Sequence, residues 1–222
     1  MSNHPRITVI CGHYGCGKTN LALNLALDAA AAGEKVTVAD LDIVNPYFRS
    51  SEYGGLLEEY GISLIAPVFA GTTLDTPTLP PELYSIFQPE AGRVFIDAGG
   101  DDAGVTALGG LHSLLEESGY EMLYVINRYR VLSQTPEEAV ALLSEIEAAS
   151  RLKATALVNN SHLGVETTLE TLLGGLDFAH KTAELTGLPL LYSTAPDFAL
   201  KPGETLPEGF RPVKRHVKFM WE

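Results

Sequence analysis

The chain contains few cysteines, few basic residues and no long apolar run. Its two cysteines, Cys11 and Cys16, stand too close together to brace a fold, which fits free thiols in a reducing compartment. The 15 Lys and Arg against 28 Asp and Glu give a formal net charge of -13, which argues against a nucleic-acid backbone as a partner. The longest apolar run, residues 21–32, is interrupted by Asn24 and Asp28 and is shorter than the roughly 20 residues that cross a bilayer.

The two ends of the sequence give separate expectations. The first residues, MSNHPRITVI, lack the apolar core and cleavage site of a secretory signal, so we expect a cytoplasmic protein. The last twelve residues, RPVKRHVKFMWE, form a basic cluster that we expect to be a solvated terminal segment; an amphipathic handle for a membrane or partner is the alternative. The length of 222 residues suits a single domain over residues 1–222, because single cores stop growing only beyond roughly 250 residues.

Short runs rich in Val, Ile and Leu alternate with helix-like stretches along the whole chain. This alternation predicts an α/β fold of three layers, with a doubly wound, mainly parallel sheet between helices. Helices are predicted at 18–32, ended by Gly33, and at 135–151, where Thr135 and Glu138 can form a capping box around Pro136. Residues 71–89 carry four prolines and predict a loop with one short helix. The seven predicted strands are residues 6–11, 35–41, 62–67, 93–98, 122–127, 154–160 and 189–194.

The first predicted strand runs into a glycine-rich stretch, VICGHYGCGKTN. Gly12, Gly17, Lys18 and Thr19 match the pattern G-x-x-x-x-G-K-[ST] between a strand and a helix, where backbone N–H groups surround phosphates. In this pattern the lysine reaches the β- and γ-phosphates and the threonine hydroxyl binds Mg²⁺. The residues expected to hold the phosphates are Gly12, His13, Tyr14, Gly15, Cys16, Gly17, Lys18, Thr19 and Asn20.

Aspartates end two further predicted strands. Asp40 and Asp42 follow the second strand, where the carboxyl edge of the sheet faces a ligand crevice, although capping of the next turn is the alternative. Asp97 ends the strand RVFIDA before Gly99 and Gly100. Together with the phosphate loop, Asp97 is predicted to order the Mg²⁺ shell, and the segment after it to sense a γ-phosphate.

The order of these motifs, GHYGCGKT, DLD, FIDAGG, NN and APD, resembles the MinD/ParA branch of P-loop ATPases, which includes the nitrogenase iron protein. The resemblance implies that Asp42 positions the attacking water and the metal, so that Thr19, Asp42 and Asp97 are the predicted metal-site residues. It also implies that an asparagine after the sixth strand and a proline loop after the seventh hold adenine. The residues at those places are Asn159, with Asn160 as the alternative, and Pro196 and Asp197.

ATP is favoured over GTP because the segment NNSH lacks the lysine and aspartate of the guanine motif N-K-x-D. The loop also departs from the family pattern: His13 stands where the family has a lysine that crosses a dimer interface, and Tyr14 stands at the next glycine. A histidine with an ordinary pKa of about 6.5 carries only a fractional charge at pH 7, although a nearby triphosphate would raise its pKa. The resemblance implies an ATP-dependent homodimer, and the replacement of the family lysine by His13 bears on whether this dimer forms and on how fast ATP is hydrolysed.

Other residues have side chains that could bind a metal, but a different role is favoured for each group. Cys11, His13 and Cys16 have metal-binding side chains, but small packing residues are preferred because a loop curled around phosphate cannot turn them onto one ion. Asp101 and Asp102 are predicted to cap the helix that follows rather than to bind a cation. For His112, His162 and His180, solvated or satisfied positions are favoured over ligation.

The sequence therefore predicts a slow Mg²⁺-dependent ATPase in which Lys18 and Asp42 are catalytic and ATP acts as a switch for an unidentified protein client. Two alternatives stay open. One is a carboxylate ligase of the dethiobiotin-synthetase or cobyrinate-amidase kind, and the other is a nucleotide-binding adaptor that does not hydrolyse ATP.

Overall fold

The computed structural model describes residues 5–41, 53–66, 81–100 and 102–217, with the side chains of residues 102 and 103 left out. Within these ranges, eight parallel strands form one sheet in the order β3-β2-β4-β1-β5-β6-β7-β8. The predicted α/β class with a parallel sheet is thus confirmed. The strands are β1 Ile7–Gly12, β2 Val36–Leu41, β3 Ser63–Ile65, β4 Arg93–Ala98, β5 Tyr120–Ile126, β6 Ala156–Asn159, β7 Leu190–Pro196 and β8 Phe210–Val213.

Helices connect the strands. Two 3₁₀ segments, Pro81–Phe87 and Pro89–Ala91, precede β4, where one short helix was predicted; residues 71–80 of that loop lie outside the described ranges. The α-helices are α1 Lys18–Ala31, α2 Gly54–Glu59, α3 Asp102–Gly110, α4 His112–Ser118, α5 Pro136–Ser150, α6 Leu169–Gly174 and α7 Leu176–Thr186.

The two helices predicted with boundaries form close to them. α1 gives way to Gly33 in a left-handed conformation, at φ +85°, which a glycine adopts without steric cost. At the start of α5, the Thr135 hydroxyl accepts from the Glu138 amide, and the Glu138 carboxylate accepts from the Thr135 amide. This is the predicted capping box, which satisfies two backbone donors that a helix start leaves open.

The core lies on both faces of the sheet. Along β1, Ile7 and Val9 pack into the cluster that contains α3, α5 and α7, whereas Ile10 packs into the cluster that contains α1. Alternation of side chains in a strand places neighbours on opposite faces, so a strand covered on both sides has to be apolar throughout. Among the described helices, none is long and apolar enough to cross a membrane.

The prediction of a solvated tail is wrong for residues 211–217. β8 pairs with β7, and the chain after it lies along α1, where Asn24 exchanges hydrogen bonds of 2.8 Å with the backbone N–H and C=O of Lys214. The Asn20 carboxamide oxygen accepts from the His216 amide at 2.8 Å. The strand was missed because it is short and contains a proline, which is compatible with an edge position. Two asparagines on α1 therefore fasten the C-terminal segment to the start of the helix.

Candidate functional site

The loop between β1 and α1 lies at the carboxyl edge of the sheet, at its central strand. Gly17 precedes α1 with φ +93°, and a Cβ atom there would lie 2.2 Å from Nδ2 of Asn160. Only glycine meets both the left-handed backbone and the close approach. The loop thus ends at the N-terminus of a 14-residue helix, whose open N–H groups and dipole favour an anion.

Lys18, the first residue of α1, has its ammonium group folded back onto this loop. Its side chain is buried, and Nζ donates to the His13 carbonyl at 3.1 Å, which also accepts from the Cys16 amide at 3.2 Å. The segment after β4 approaches from the other side, since a Cβ atom on Gly100 would lie 2.7 Å from Lys18 Nζ and 2.6 Å from the Tyr14 amide nitrogen. The structure therefore brings the two glycine-containing segments of the sequence into contact.

Buried oxygen donors lie at the same edge. Asp97 on β4 stands opposite Ile10 of β1 on one side and Asp40 of β2 on the other, and both aspartates are buried, as is Thr19. Carboxylate and hydroxyl oxygens are the ligands that Mg²⁺ prefers, so this donor set fits the ion. Asp42, the third predicted metal-site residue, lies outside the described residues.

An open cleft extends from this loop along the edge of the sheet towards β7 and β8. Among the described residues, the lining includes the three basic residues Lys18, Arg130 and Arg215 and no acidic one, although the whole chain carries a net charge of -13. The lining residues are Tyr14, Gly15, Gly17, Lys18, Thr19, Asn20, Arg130, Asn160, His162, Gly164, Pro196, Phe198, Val213, Arg215 and Val217.

The two asparagines after β6 have different surroundings. The structure places Asn160 in the cleft, whereas the Asn159 carboxamide points inward, donating to Ser193 Oγ at 2.9 Å and accepting from Ser161 Oγ at 2.6 Å. Asn160 and not Asn159 therefore lines the cleft, because side chains alternate at the end of a strand, and a contact of either residue with adenine stays a prediction. Asp197 is exposed and lies beside the cleft, in a neighbouring depression with Lys214.

Asn160 also braces the phosphate loop. Its Nδ2 donates to the Cys16 carbonyl at 2.6 Å, and its Oδ1 accepts from the Thr194 hydroxyl. One side chain therefore links the loop after β1 to β7. Because both ends of the carboxamide are engaged, Asn160 is a structural part of the cleft wall as much as a group that meets a ligand.

The surroundings of His13 disfavour a charge on its ring. Burial lowers the pKa of His13 below its ordinary value, and the neighbouring Lys18 and Arg130 lower it further against the opposing hydrogen bond to Tyr14. The ring Nδ1 lies 3.0 Å from the Tyr14 carbonyl, which can only accept, so Nδ1 carries the proton when the ring is neutral. The neutral ring has no second N–H for a phosphate, and a contact of His13 with the nucleotide stays a prediction.

The cysteines behave as the packing interpretation expected. Cys11 and Cys16 are free and fully buried, and burial raises the pKa of each thiol. Among the described residues, no group of three metal-binding side chains is found. Likewise, His112 is satisfied by Gly109 and Ser113, and His180 is exposed.

Sequence reasoning missed three cleft residues that carry or can carry charge: Arg130, His162 and Arg215. Arg130 and His162 follow β5 and β6, and the rule that ligands bind at the carboxyl ends of parallel strands would have found both. Arg215 had no such signal, because the strand that delivers it was not predicted.

The burial of His162 leads us to expect that the protein loses stability as the pH is lowered. Burial lowers its pKa to about 4, helped by Arg130 and Arg215, and its Nδ1 accepts from the Gly164 amide at 3.1 Å. Between pH 6.5 and 4 the unfolded chain binds more protons at this site than the folded one. The contribution of His162 to the free energy of unfolding is therefore fully present above pH 6.5 and is lost as the pH is lowered towards 4. We expect His162→Gln to lose less stability than wild type between pH 7 and 5, by up to about 2 kcal/mol, measured by urea unfolding.

The matched control is His180→Gln, which removes an exposed histidine and should keep the wild-type pH dependence. Equal losses of unfolding free energy in wild type and His162→Gln would contradict the assignment of this acid sensitivity to His162.

The parallel sheet, the loop between β1 and α1 and the cleft above it define the α/β fold of P-loop NTPases. No protein-family model and no curated protein sequence matches the chain. Among solved structures, the chain is similar to cell division protein FtsY from Thermotoga maritima, with 18% identity and a TM-score of 0.62, over 92% of this chain and 67% of that one.

Two further structures are similar, and both are complexes with GDP. The signal recognition particle receptor FtsY from Elizabethkingia anophelis has 20% identity and a TM-score of 0.57 over 87% of this chain and 58% of that chain. The signal recognition particle 54 kDa protein from Aeropyrum pernix has 18% identity and a TM-score of 0.57, over 87% and 42%. The chain thus spans less than two thirds of both proteins. Such identities show the fold alone, and they do not support the MinD/ParA branch, which rests on sequence motifs.

Proposed function

We propose that the protein binds Mg·ATP in this cleft, hydrolyses it slowly and uses the bound nucleotide as a switch for a protein partner in the cytoplasm. The observation that carries the proposal is the charge of the cleft: Lys18, Arg130 and Arg215 line it, and no acidic residue is among its described lining, in a chain with almost twice as many acidic as basic residues. Such a local excess of positive charge next to a helix N-terminus is suited to a polyphosphate.

Each group in the site has a proposed role. Lys18 stabilises the charge of the phosphates, and Thr19 and Asp97 hold Mg²⁺, which when bound neutralises phosphate charge. Asp42 orients the attacking water, as the MinD/ParA resemblance implies. Pro196 and Phe198 supply an apolar wall for the base at the other end of the cleft.

GTP is the second candidate nucleotide, because two of the similar structures hold GDP. The cleft favours ATP on chemical grounds. Guanine presents N–H donors that a carboxylate accepts well, and no carboxylate is among the described lining residues. Asp197 lies in the adjoining depression.

The contact between Gly100 and the phosphate loop gives the switch a physical basis. A γ-phosphate bound beside Lys18 has to be accommodated by the segment after β4, which lies against the same ammonium group. Occupancy of the γ-position can therefore change the position of this segment, and with it the binding of a protein client or of a second copy of the chain. An ATP-dependent homodimer is the simplest form of this switch.

The proposal is tested by titrating the wild-type protein with ATP and with GTP in the presence of Mg²⁺, followed by measurement of phosphate release. We expect ATP to bind about tenfold more tightly than GTP or better, a difference of about 1.4 kcal/mol. Tighter binding of GTP would replace ATP by GTP in the same switch. A protein that binds neither nucleotide would overturn the proposed function.

A further inference from the structure

The loop after β5 brings a second cation to the phosphate loop. Building on the proposed nucleotide site, we propose that Arg130 binds the polyphosphate from the loop after β5, beside Gly15 of the phosphate loop. It supplies a positive charge to the site from the same chain. Arg130 is thus a phosphate-binding residue of this site, shared by di- and triphosphates.

The position of Arg130 is fixed by its backbone. Its amide donates to the Asn127 carbonyl at 3.1 Å, and its carbonyl accepts from the amide and hydroxyl of Ser133 at 3.2 and 3.3 Å. The side chain lies over the glycine in the middle of the phosphate loop: a Cβ atom on Gly15 would lie 3.6 Å from Nε and 3.7 Å from Cζ of Arg130. The guanidinium group is therefore held beside the loop backbone that would enclose the phosphates, at Gly15, where the loop has no side chain in the way.

The guanidinium group has no partner within the described part of the protein. Its Nε is buried and makes no hydrogen bond, and Arg130 is absent from the ion pairs found there. Arg128, two residues earlier, shows the contrast, since its guanidinium donates to the Gly174 carbonyl and lies over the Tyr129 ring. A cation kept partly out of water without a counterion is costly, and a bound anion with several acceptor oxygens would satisfy its forked donors.

His13 is less suited than Arg130 to supply this charge. Its Nδ1 lies 3.0 Å from the Tyr14 carbonyl, and burial lowers its pKa. Arg130 lies close enough to His13 and His162 for its charge to disfavour protonation of both rings. A phosphate in the cleft would meet both Lys18 and Arg130, and cations around the phosphates neutralise their charge.

The test compares Arg130→Met with Arg128→Met, which removes the same charge from the same loop outside the cleft lining. Binding of ADP, Mg·ATP and pyrophosphate is measured by calorimetry, because pyrophosphate reports the phosphate contacts without the base. We expect Arg130→Met to weaken binding of all three about tenfold or more, and Arg128→Met to change it less than about twofold. Unchanged affinities in Arg130→Met, with a wild-type protein that binds, would overturn the assignment of Arg130 alone; a wild-type protein that binds none of the three would overturn the proposed function itself.

Thermal unfolding distinguishes a phosphate contact from a structural role. Without ligand, Arg130→Met should unfold at the wild-type temperature or above it, because an unpaired buried cation has been removed, and nucleotide should raise its Tm less than that of wild type. A lower ligand-free Tm with the full rise on adding nucleotide would overturn the proposal. If Arg130→Met does not fold, Arg130→Lys decides: the loss of the forked donors should weaken binding about threefold or more, and wild-type affinity would overturn the proposal.

Discussion

Lys18→Ala is expected to weaken nucleotide binding about tenfold to a hundredfold, measured by calorimetry with Mg·ATP. A charge-assisted contact to phosphate contributes about 1.5 to 3 kcal/mol, and the Lys18 ammonium group lies at the start of α1, where the loop turns towards the cleft. The fold should tolerate the change. The His13 carbonyl that accepts from Lys18 also accepts from the Cys16 amide, so no buried acceptor is left without a donor.

Lys181→Ala is the matched control for this experiment. Lys181 forms an ion pair with Asp177 on the exposed face of α7, so its loss removes one positive charge from the protein without touching the cleft. Nucleotide affinity should stay at the wild-type value in the control. Unchanged affinity in Lys18→Ala as well would refute the phosphate-loop interpretation.

Asp42→Ala is expected to retain Mg·ATP and to lose hydrolysis, measured as phosphate release at saturating nucleotide. A group that orients the attacking water contributes to the transition state more than to the bound ground state, so its removal lowers the turnover rate while binding persists. Asp42 itself lies outside the described residues, so the role rests on the family resemblance; the described part shows that the preceding Asp40 is buried and in register with Asp97 of β4.

Asp28→Ala provides the control, because Asp28 pairs with Arg211 on the protein surface and carries the same charge. If Asp42→Ala turns over ATP at the wild-type rate, Asp42 does not have this role and Asp40 becomes the candidate.

The same Asp42→Ala protein, studied by light scattering with and without ATP, tests the proposed ATP-dependent homodimer. Association that depends on ATP supports the proposed switch, whereas one mass under both conditions contradicts it.

The fold could be predicted from the sequence to a large extent, because its signals are local. Seven of the eight described strands were found from short apolar runs, and the capping box of α5 from the spacing of Thr135 and Glu138. β8 was missed because four residues with one proline carry almost no strand signal by themselves. Its place is set by β7 beside it and by Asn20 and Asn24 of α1, which hold the chain that follows at a separation of nearly two hundred residues.

The candidate site divides in the same way. The sequence by itself determined the phosphate loop, since glycine, lysine and threonine at set spacing are demanded by a backbone that curls around an anion. Only the tertiary structure decided that Asn160 and not Asn159 faces the cleft, that burial lowers the pKa of His13 and that Arg130 lies over Gly15 with no partner among the described residues. The physical reason is that the direction of a side chain, its burial and the charged groups beside it depend on strands that are distant in the chain and become neighbours only in the sheet.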